Sequence, residues 1–335
     1  MTVKITIIGL GQIGASMGLA LANHKDQVST LGHDLSPETA RKAQKLGAVE
    51  SISYNLPAAV EKADVIVLAI PFDAILETLK IIAPDMHEEA VVMDTAPIKS
   101  VIVGWAREFL PPRRHYVGLT PALNPACLED ATLGLNAARA DLFHKGAMAI
   151  SAAHGTAEGA LKLATDFVTL LGALPFFADP EEVDGVMAAT HLLPGLSAAA
   201  LAEAITSQPG WSDIRKLTGK HYSSATRPLE GEESAALAGA ILQNQSNTLR
   251  MLDAYIAALT SLRSGIAINN REELETRLEL ARRGRAQWQL DRGRGDWLAV
   301  EMGTQEMPKM GDILKQQIGG LDKLFGRRNN KTDKG

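Results

Sequence analysis

Three glycines and one carboxylate carry the clearest chemistry in this chain. Gly9, Gly11 and Gly14 stand in the spacing G-x-G-x-x-G, directly after the apolar β-branched run Val3 to Ile8. An Ala/Leu-rich helical stretch, Ile13 to Ala22, follows them. A second short strand, Val28 to Gly32, leads to Asp34, twenty residues beyond Gly14. Each position has a physical reason. Gly9 permits a tight turn out of the strand, Gly11 lets a pyrophosphate approach the backbone, and Gly14 lets the helix pack closely on the strand. The free N–H groups at the helix start, around Gln12 and Ile13, face the phosphates. An acid at the position of Asp34 accepts hydrogen bonds from ribose hydroxyls. The pattern predicts a dinucleotide site. Asp34 is followed by Leu35 and Ser36, with no Arg or Lys before Arg41. A 2′-phosphate would meet a carboxylate and no counter-charge, so NAD is expected rather than NADP.

The elements that must position this site alternate along the first half. Ser36 and Pro37 open a helix as cap and first residue, and Gly47 closes it. Asp64 to Ile70 is apolar after its first residue, as a strand buried in a parallel sheet requires. Pro71 ends it, and a helix from Asp73 to Ile82 follows. Ala90 to Asp94 is the next strand, then come a helix from Ile98 to Phe109 and a strand at His115 to Gly118. Such alternation predicts a Rossmann-type, doubly wound parallel sheet. Ligands bind beyond the carboxyl ends of such strands. The segments after the strands are therefore cleft candidates: Ile70 and Pro71, Thr95, and Thr120 with its neighbours.

From about residue 154 the pattern becomes helix after helix. Thr156 to Leu171 ends at Gly172, and Leu174 to Phe177 is a short strand or connector. Asp179 and Glu182 form a capping signal for a long helix, and Pro194 should kink it beside His191. Glu233 to Arg263 reads as one helix about 45 Å long, apolar on more than one face, which suits a dimer interface. Arg271 to Arg292 is a charged helix. The expected division is an NAD-binding domain at 1–153, an all-helical substrate and dimerisation domain at 154–297, and a tail at 298–335 whose polar, basic end is expected to be disordered.

Composition narrows the class. The chain has 335 residues, enough for two cores, with 46% apolar and 22% charged residues. A net charge of −5 offers no general attraction to nucleic acid or to anionic membranes. A single cysteine, Cys127, excludes an intrachain disulfide framework and fits a reducing cytoplasm. The apolar N-terminus carries the dinucleotide glycines and reads as strand and helix, not as a signal peptide, and no stretch elsewhere reads as transmembrane. No metal-ligand spacing or G-x-S-x-G elbow is present, so neither a metal nor a covalent nucleophile is expected.

These residues resemble the prephenate/arogenate dehydrogenase family from about residue 4 to residue 290. The resemblance rests on ITIIGLGQIGASMGLAL, SPETARKAQKLGAVE, ADVIVLAIPFDAILETLKIIAP, ADLFHKGAMAIS and EEVDGVMAATHLLPGLSAAAL. The stretch LAGAILQNQSNTLRMLDAYIAALTSLR resembles the family's dimer helix, which implies a homodimer. The implied reaction, a step of tyrosine biosynthesis, moves a hydride from the ring carbon bearing the 4-hydroxyl of prephenate to NAD⁺. The ring carboxylate leaves as CO₂, and the product is aromatic. By resemblance His191, in ATHLLPG, matches the family's substrate-site histidine. Arg227, in SSATRPL, matches an arginine that binds a substrate carboxylate.

Two positions depart from the family pattern. The family carries Gly-Gly-His-Pro after the sixth strand, and that histidine polarises the substrate hydroxyl; this chain has Gly118-Leu119-Thr120-Pro121. The family also tends to have a serine after the fifth strand, where Ala96-Pro97 stand here. Thr120 exchanges hydrogen bonds but cannot take a proton near neutral pH as imidazole does. Three readings stay open. In one, prephenate or arogenate is the substrate and His191, His144 or a water supplies the acid–base role. In another, Thr120 and Asn124 orient a different carboxylated substrate. In the third, the chain is a non-catalytic NAD-binding dimer.

Overall fold

The computed structural model describes residues 2–231 and 233–295. The first half alternates as expected. Strands β1 (Val3–Ile8), β2 (Val28–His33), β3 (Ser51–Ile52), β4 (Val65–Leu68), β5 (Val91–Asp94) and β6 (His115–Pro121) run parallel. Between them lie α1 (Gln12–Leu21), α2 (Pro37–Leu46), α3 (Leu56–Val60), α4 (Phe72–Ile82) and α5 (Ser100–Phe109). Two further strands extend the sheet: β7 (Ala147–Ser151), antiparallel to β6, and β8 (Leu174–Phe177), with α6 (Glu158–Leu170) between them. The order is β3-β2-β1-β4-β5-β6-β7-β8, so the sheet reverses between β1 and β4 and runs on past residue 153 to Phe177. β8 was ambiguous as a sequence because LPFF is only half-buried along the sheet edge.

One apolar core lies on each face of the sheet. The first gathers Ile5, Met17, Val67 and Phe167. The second gathers Ile66, Leu79, Val92 and Ile102, and takes in Leu192 and Ala240 from the helical half. The helical half is thus packed directly on α4 and α5, where Phe72 and Trp105 place their rings 5.6 Å apart.

That half begins with α7 (Pro180–Met187), a π-turn (Ala188–Leu192) and α8 (Leu193–Thr206), which form one continuous helix. The irregularity expected at Pro194 takes the form of this wide turn, in which Leu193 N–H reaches the Ala188 carbonyl. By length and composition alone this helix could cross a membrane, yet it carries the buried Asp184, and much of its apolar window is exposed in the single chain. Short helices α9 (Trp211–Ile214) and α10 (Lys220–Thr226) lead to a tight turn at Arg227–Leu229.

The single helix expected over 233–263 is two helices. They are α11 (Ser234–Gln243) and α12 (Gln245–Ala267), broken at Asn244, where φ is −113° and ψ is 38°. The break has a tertiary cause. The Asn244 side chain donates to the Asp184 carbonyl at 2.7 Å, a bond that draws this residue inward. Helix α13 (Arg271–Arg294) closes the described chain. The expected tail, 298–335, lies outside the described residues.

Close packing makes the fold sensitive at defined glycines. A Cβ at Gly18, inside α1, would lie 1.9 Å from the Ala48 carbonyl oxygen, whereas one at Gly104, on the exposed face of α5, would meet nothing within 4 Å. Urea denaturation should show Gly18→Ala losing about 1–3 kcal/mol. Gly104→Ala should instead gain roughly 0.5–1 kcal/mol.

Candidate active site

The glycine turn divides its labour as the spacing predicts. Gly9 has φ +89°, and a Cβ there would lie 2.3 Å from the Ala69 carbonyl oxygen. Only glycine fits this crossing of β1 and the end of β4. A Cβ at Gly14 would lie 1.9 Å from the Gly9 carbonyl oxygen, so α1 leaves the turn in backbone contact with it. Gly11 is different: a Cβ there would meet nothing within 4 Å. It opens onto free space as the N-cap of α1, and no side chain caps that helix. The backbone around Gln12 and Ile13 therefore offers its N–H groups to an anion.

Asp34 stands at the end of β2, partly buried. Its Oδ2 accepts from Leu10 N–H at 2.8 Å and its Oδ1 from Ser36 N–H at 2.8 Å. These bonds fix the carboxylate over the glycine turn and leave lone pairs for a diol. Leu35, beside it, is 94% exposed and brings no positive charge. Ile70 follows β4 and approaches Gly9, and Pro71 caps α4 from an exposed position. Thr95 follows β5, its N–H bonded to the Leu68 carbonyl at 3.1 Å. The open Gly11, the uncapped α1 and the oriented Asp34 fit NAD.

The sequence-predicted substrate residues are placed less uniformly. Thr120 is the penultimate residue of β6, and its Oγ1 is buried without a hydrogen-bond partner. Asn124 does not present a free amide. Its Oδ1 accepts from Ala126 N–H and its Nδ2 donates to the Asp141 carbonyl, both at 3.0 Å, so it shapes the loop after β6. His191 sits within the π-turn, half-buried. His144 packs against Gly172, just before the edge strand β8. Arg227 lies beyond α10, lines an open cavity of about 590 Å³, and reaches the Glu129 carbonyl at 3.5 Å.

The largest feature that sequence reading missed is a buried polar cluster beneath these loops. Lys99 and Asp94 are both fully buried, with Nζ 2.8 Å from Oδ1. Tyr116 donates its hydroxyl to the other Asp94 oxygen. The Lys99 stem crosses Gly118, where a Cβ would lie 2.6 Å from Lys99 Cδ. The backbone N–H groups of Lys99 and Ser100 donate to the Asp184 carboxylate on α7. Burial pulls the Lys99 pKa down against the opposing pull of Asp94, and burial pushes the Tyr116 and Asp184 pKa values up. One signal was present in the sequence: Asp94 ends an otherwise apolar strand, five residues before a lysine.

A Rossmann-type sheet with this cradle, joined to a helical second half, defines an NAD-dependent oxidoreductase. Comparison with known proteins agrees. Residues 17–175 match the family model for "Prephenate dehydrogenase, nucleotide-binding domain", and residues 179–280 match "Prephenate dehydrogenase, dimerization domain". The chain belongs to the prephenate dehydrogenase family and carries its dimerisation domain. It is 24% identical over 272 residues to the prephenate dehydrogenase of Bacillus subtilis (strain 168), covering 81% of this chain and 72% of that protein. It is 26% identical over 265 residues to the cyclohexadienyl dehydrogenase of Zymomonas mobilis, covering 78% and 88%. In fold it matches the A. aeolicus prephenate dehydrogenase solved with hydroxyphenyl propionate and NAD⁺, with a TM-score of 0.74 at 22% identity, over 86% of this chain and 98% of that one.

Two outcomes follow from the site. Gly11→Ala should leave thermal stability nearly unchanged while weakening NAD⁺ binding at least tenfold, and Asp34→Arg should also weaken NAD⁺; calorimetric titration of each variant checks both. Lys99→Met strands the Asp94 carboxylate in the core. In urea denaturation it should lose about 3–5 kcal/mol, and the second change Asp94→Asn should restore part of that loss.

Proposed function

We propose that this protein oxidises prephenate, or its amino counterpart arogenate, with loss of the ring carboxylate as CO₂, as a step of tyrosine biosynthesis. The observation that carries this reading is the intact cradle at Gly9, Gly11, Gly14 and Asp34, joined in one chain to a matched prephenate dehydrogenase dimerisation domain. NAD⁺, when bound, supplies the acceptor for the hydrogen and electron pair leaving the carbinol carbon.

The chain's own residues supply binding and orientation. The loops after β4 (Ile70, Pro71) and β5 (Thr95) flank the cofactor side. Arg227 suits a carboxylate, because a planar guanidinium holds both oxygens. Thr120 Oγ1, buried and unpartnered, accepts or donates one hydrogen bond at the substrate hydroxyl. His191, in the wide turn of the helix, is assigned to the substrate side and is the candidate to move the hydroxyl proton, directly or through a water. The exposed apolar side chains Leu249, Ile256 and Leu259 on α12 fit a homodimer interface. A single, buried cysteine agrees with a cytoplasmic enzyme.

The test is NADH formation by the purified protein with prephenate, and with arogenate in parallel. Turnover of either supports the reading. Failure of both, with NAD⁺ binding confirmed in the same sample, would overturn it in favour of another carboxylated substrate or a non-catalytic role. The missing imidazole gives a second expectation. Thr120→His should raise kcat by about 10²–10⁴-fold and add a near-neutral limb to its pH profile.

A further inference from the structure

The cavity beside Arg227 gathers more positive charge than one carboxylate needs. Its walls include Leu128 and Glu129 from the loop after β6, His221 from α10, Arg227 from the following turn and Arg285 from α13. Three basic side chains on three separate elements thus surround one acidic one, in a chain whose net charge is −5.

Arg285 is distinctive within its own helix. Arg271, Arg277, Arg282 and Arg283 each pair with a glutamate about one turn away on α13. Arg285 instead points out of the helix, its Nη2 3.9 Å from Glu129 Oε1. Farther along, Arg292 donates to the Leu123 carbonyl and so holds α13 against the same loop. That loop leaves β6 directly after Thr120 and Pro121 and reaches the cavity at Leu128 and Glu129. Arg227 reaches the Glu129 backbone carbonyl only at 3.5 Å, and Arg285 the Glu129 carboxylate only at 3.9 Å, so both forks keep donors for a ligand.

We propose that Arg285 and His221, together with Arg227, bind the two carboxylates of one small substrate in this cavity, and that this charge selects prephenate over arogenate. The proposal rests on the substrate reading above and deepens it. Prephenate is a dianion without an amine. Arogenate carries the same two carboxylates and an added ammonium, which a positively charged cavity disfavours. The single opposing carboxylate, Glu129, lies near Arg285 alone, and Arg227 meets only the Glu129 backbone carbonyl, so the two guanidinium groups leave the cavity positive.

The test uses the full chain with NAD⁺. Arg285 and His221 are exposed, so Arg285→Gln and His221→Gln should fold normally, which circular dichroism verifies. Arg285→Gln should raise KM for prephenate about tenfold or more with kcat within about twofold, the pattern of lost uniform binding. Its KM for arogenate should rise less, so the preference for prephenate falls. Glu129→Gln should lower KM for prephenate. Unchanged prephenate KM in both the Arg285 and His221 variants would overturn the site, and equal losses for the two substrates would overturn the selectivity. Calorimetric titration with prephenate separates this proposal from the reaction itself. If the wild type binds prephenate without turning it over and Arg285→Gln abolishes binding, the cavity stands and the reaction reading falls. If the wild type does not bind prephenate at all, the cavity assignment falls.

Discussion

A buried ammonium must be paired, and much of this structure is arranged around that demand. Lys99 has no solvent contact, and its charge is met by Asp94 at the end of β5. Neither charge is affordable alone in a core of this kind. Tyr116 engages the second Asp94 oxygen, and Gly118 leaves room for the lysine stem. The same residue faces outward through its backbone. Its N–H and that of Ser100 bind Asp184, so α7 caps the start of α5 from across the cleft. The Asp184 carbonyl in turn accepts from Asn244, where α11 ends and α12 begins. One continuous polar chain therefore joins the cofactor-side loop, the helix bearing His191 and the dimerisation helices. Rotation of any of these elements would leave a buried polar group without its partner, which typically costs about 1–3 kcal/mol.

The glycine turn is the complementary constraint, and it is steric. Gly9 and Gly14 bring β1, α1 and the end of β4 into backbone contact, with no side chain able to intervene. Gly11 alone faces open space. The cradle is rigid where it packs and open where an anion must enter. Asp34 is preset by two backbone donors, so little ordering remains for a ribose to induce.

Features governed by local rules were legible in the sequence. The glycines, the Ser36 and Gly47 caps and the apolar strands all follow from near-neighbour sterics and periodicity. Features governed by tertiary bonds were not. The apolar pattern runs unbroken through Asn244, and only its bond to the Asp184 carbonyl explains the break. Lys99 falls at the start of the helix expected from Ile98, and nothing in the local pattern shows that it is buried. Asn124 reads as an available amide, yet the loop after β6 consumes both its ends. Arg227 was singled out only through family resemblance. Arg285 was hidden among arginines whose glutamate partners lie one turn away, and only the fold shows that it points elsewhere.

In the proposed reaction, Thr120 places a hydroxyl where the family resemblance implies an imidazole, and this shifts the burden of catalysis. Removing a positioned acid–base group commonly costs about 10²–10⁴-fold in rate. What the chain retains is orientation and charge. A net-negative protein repels a dianion at long range, so the proposed substrate needs a local basic cavity to reverse the sign of that field. The unpartnered Thr120 hydroxyl is unfavourable in the free protein, and under the proposed reading a substrate hydroxyl relieves it. Both effects favour the complex and neither moves a proton. They pay for binding and alignment, and the proton must then leave through another group. The half-buried His191, the remaining acid–base candidate of the proposed reaction, lies two turns beyond Asp184 on the same continuous helix, and the Asp184 carboxylate fastens that helix to the backbone of Lys99 and Ser100 after β5.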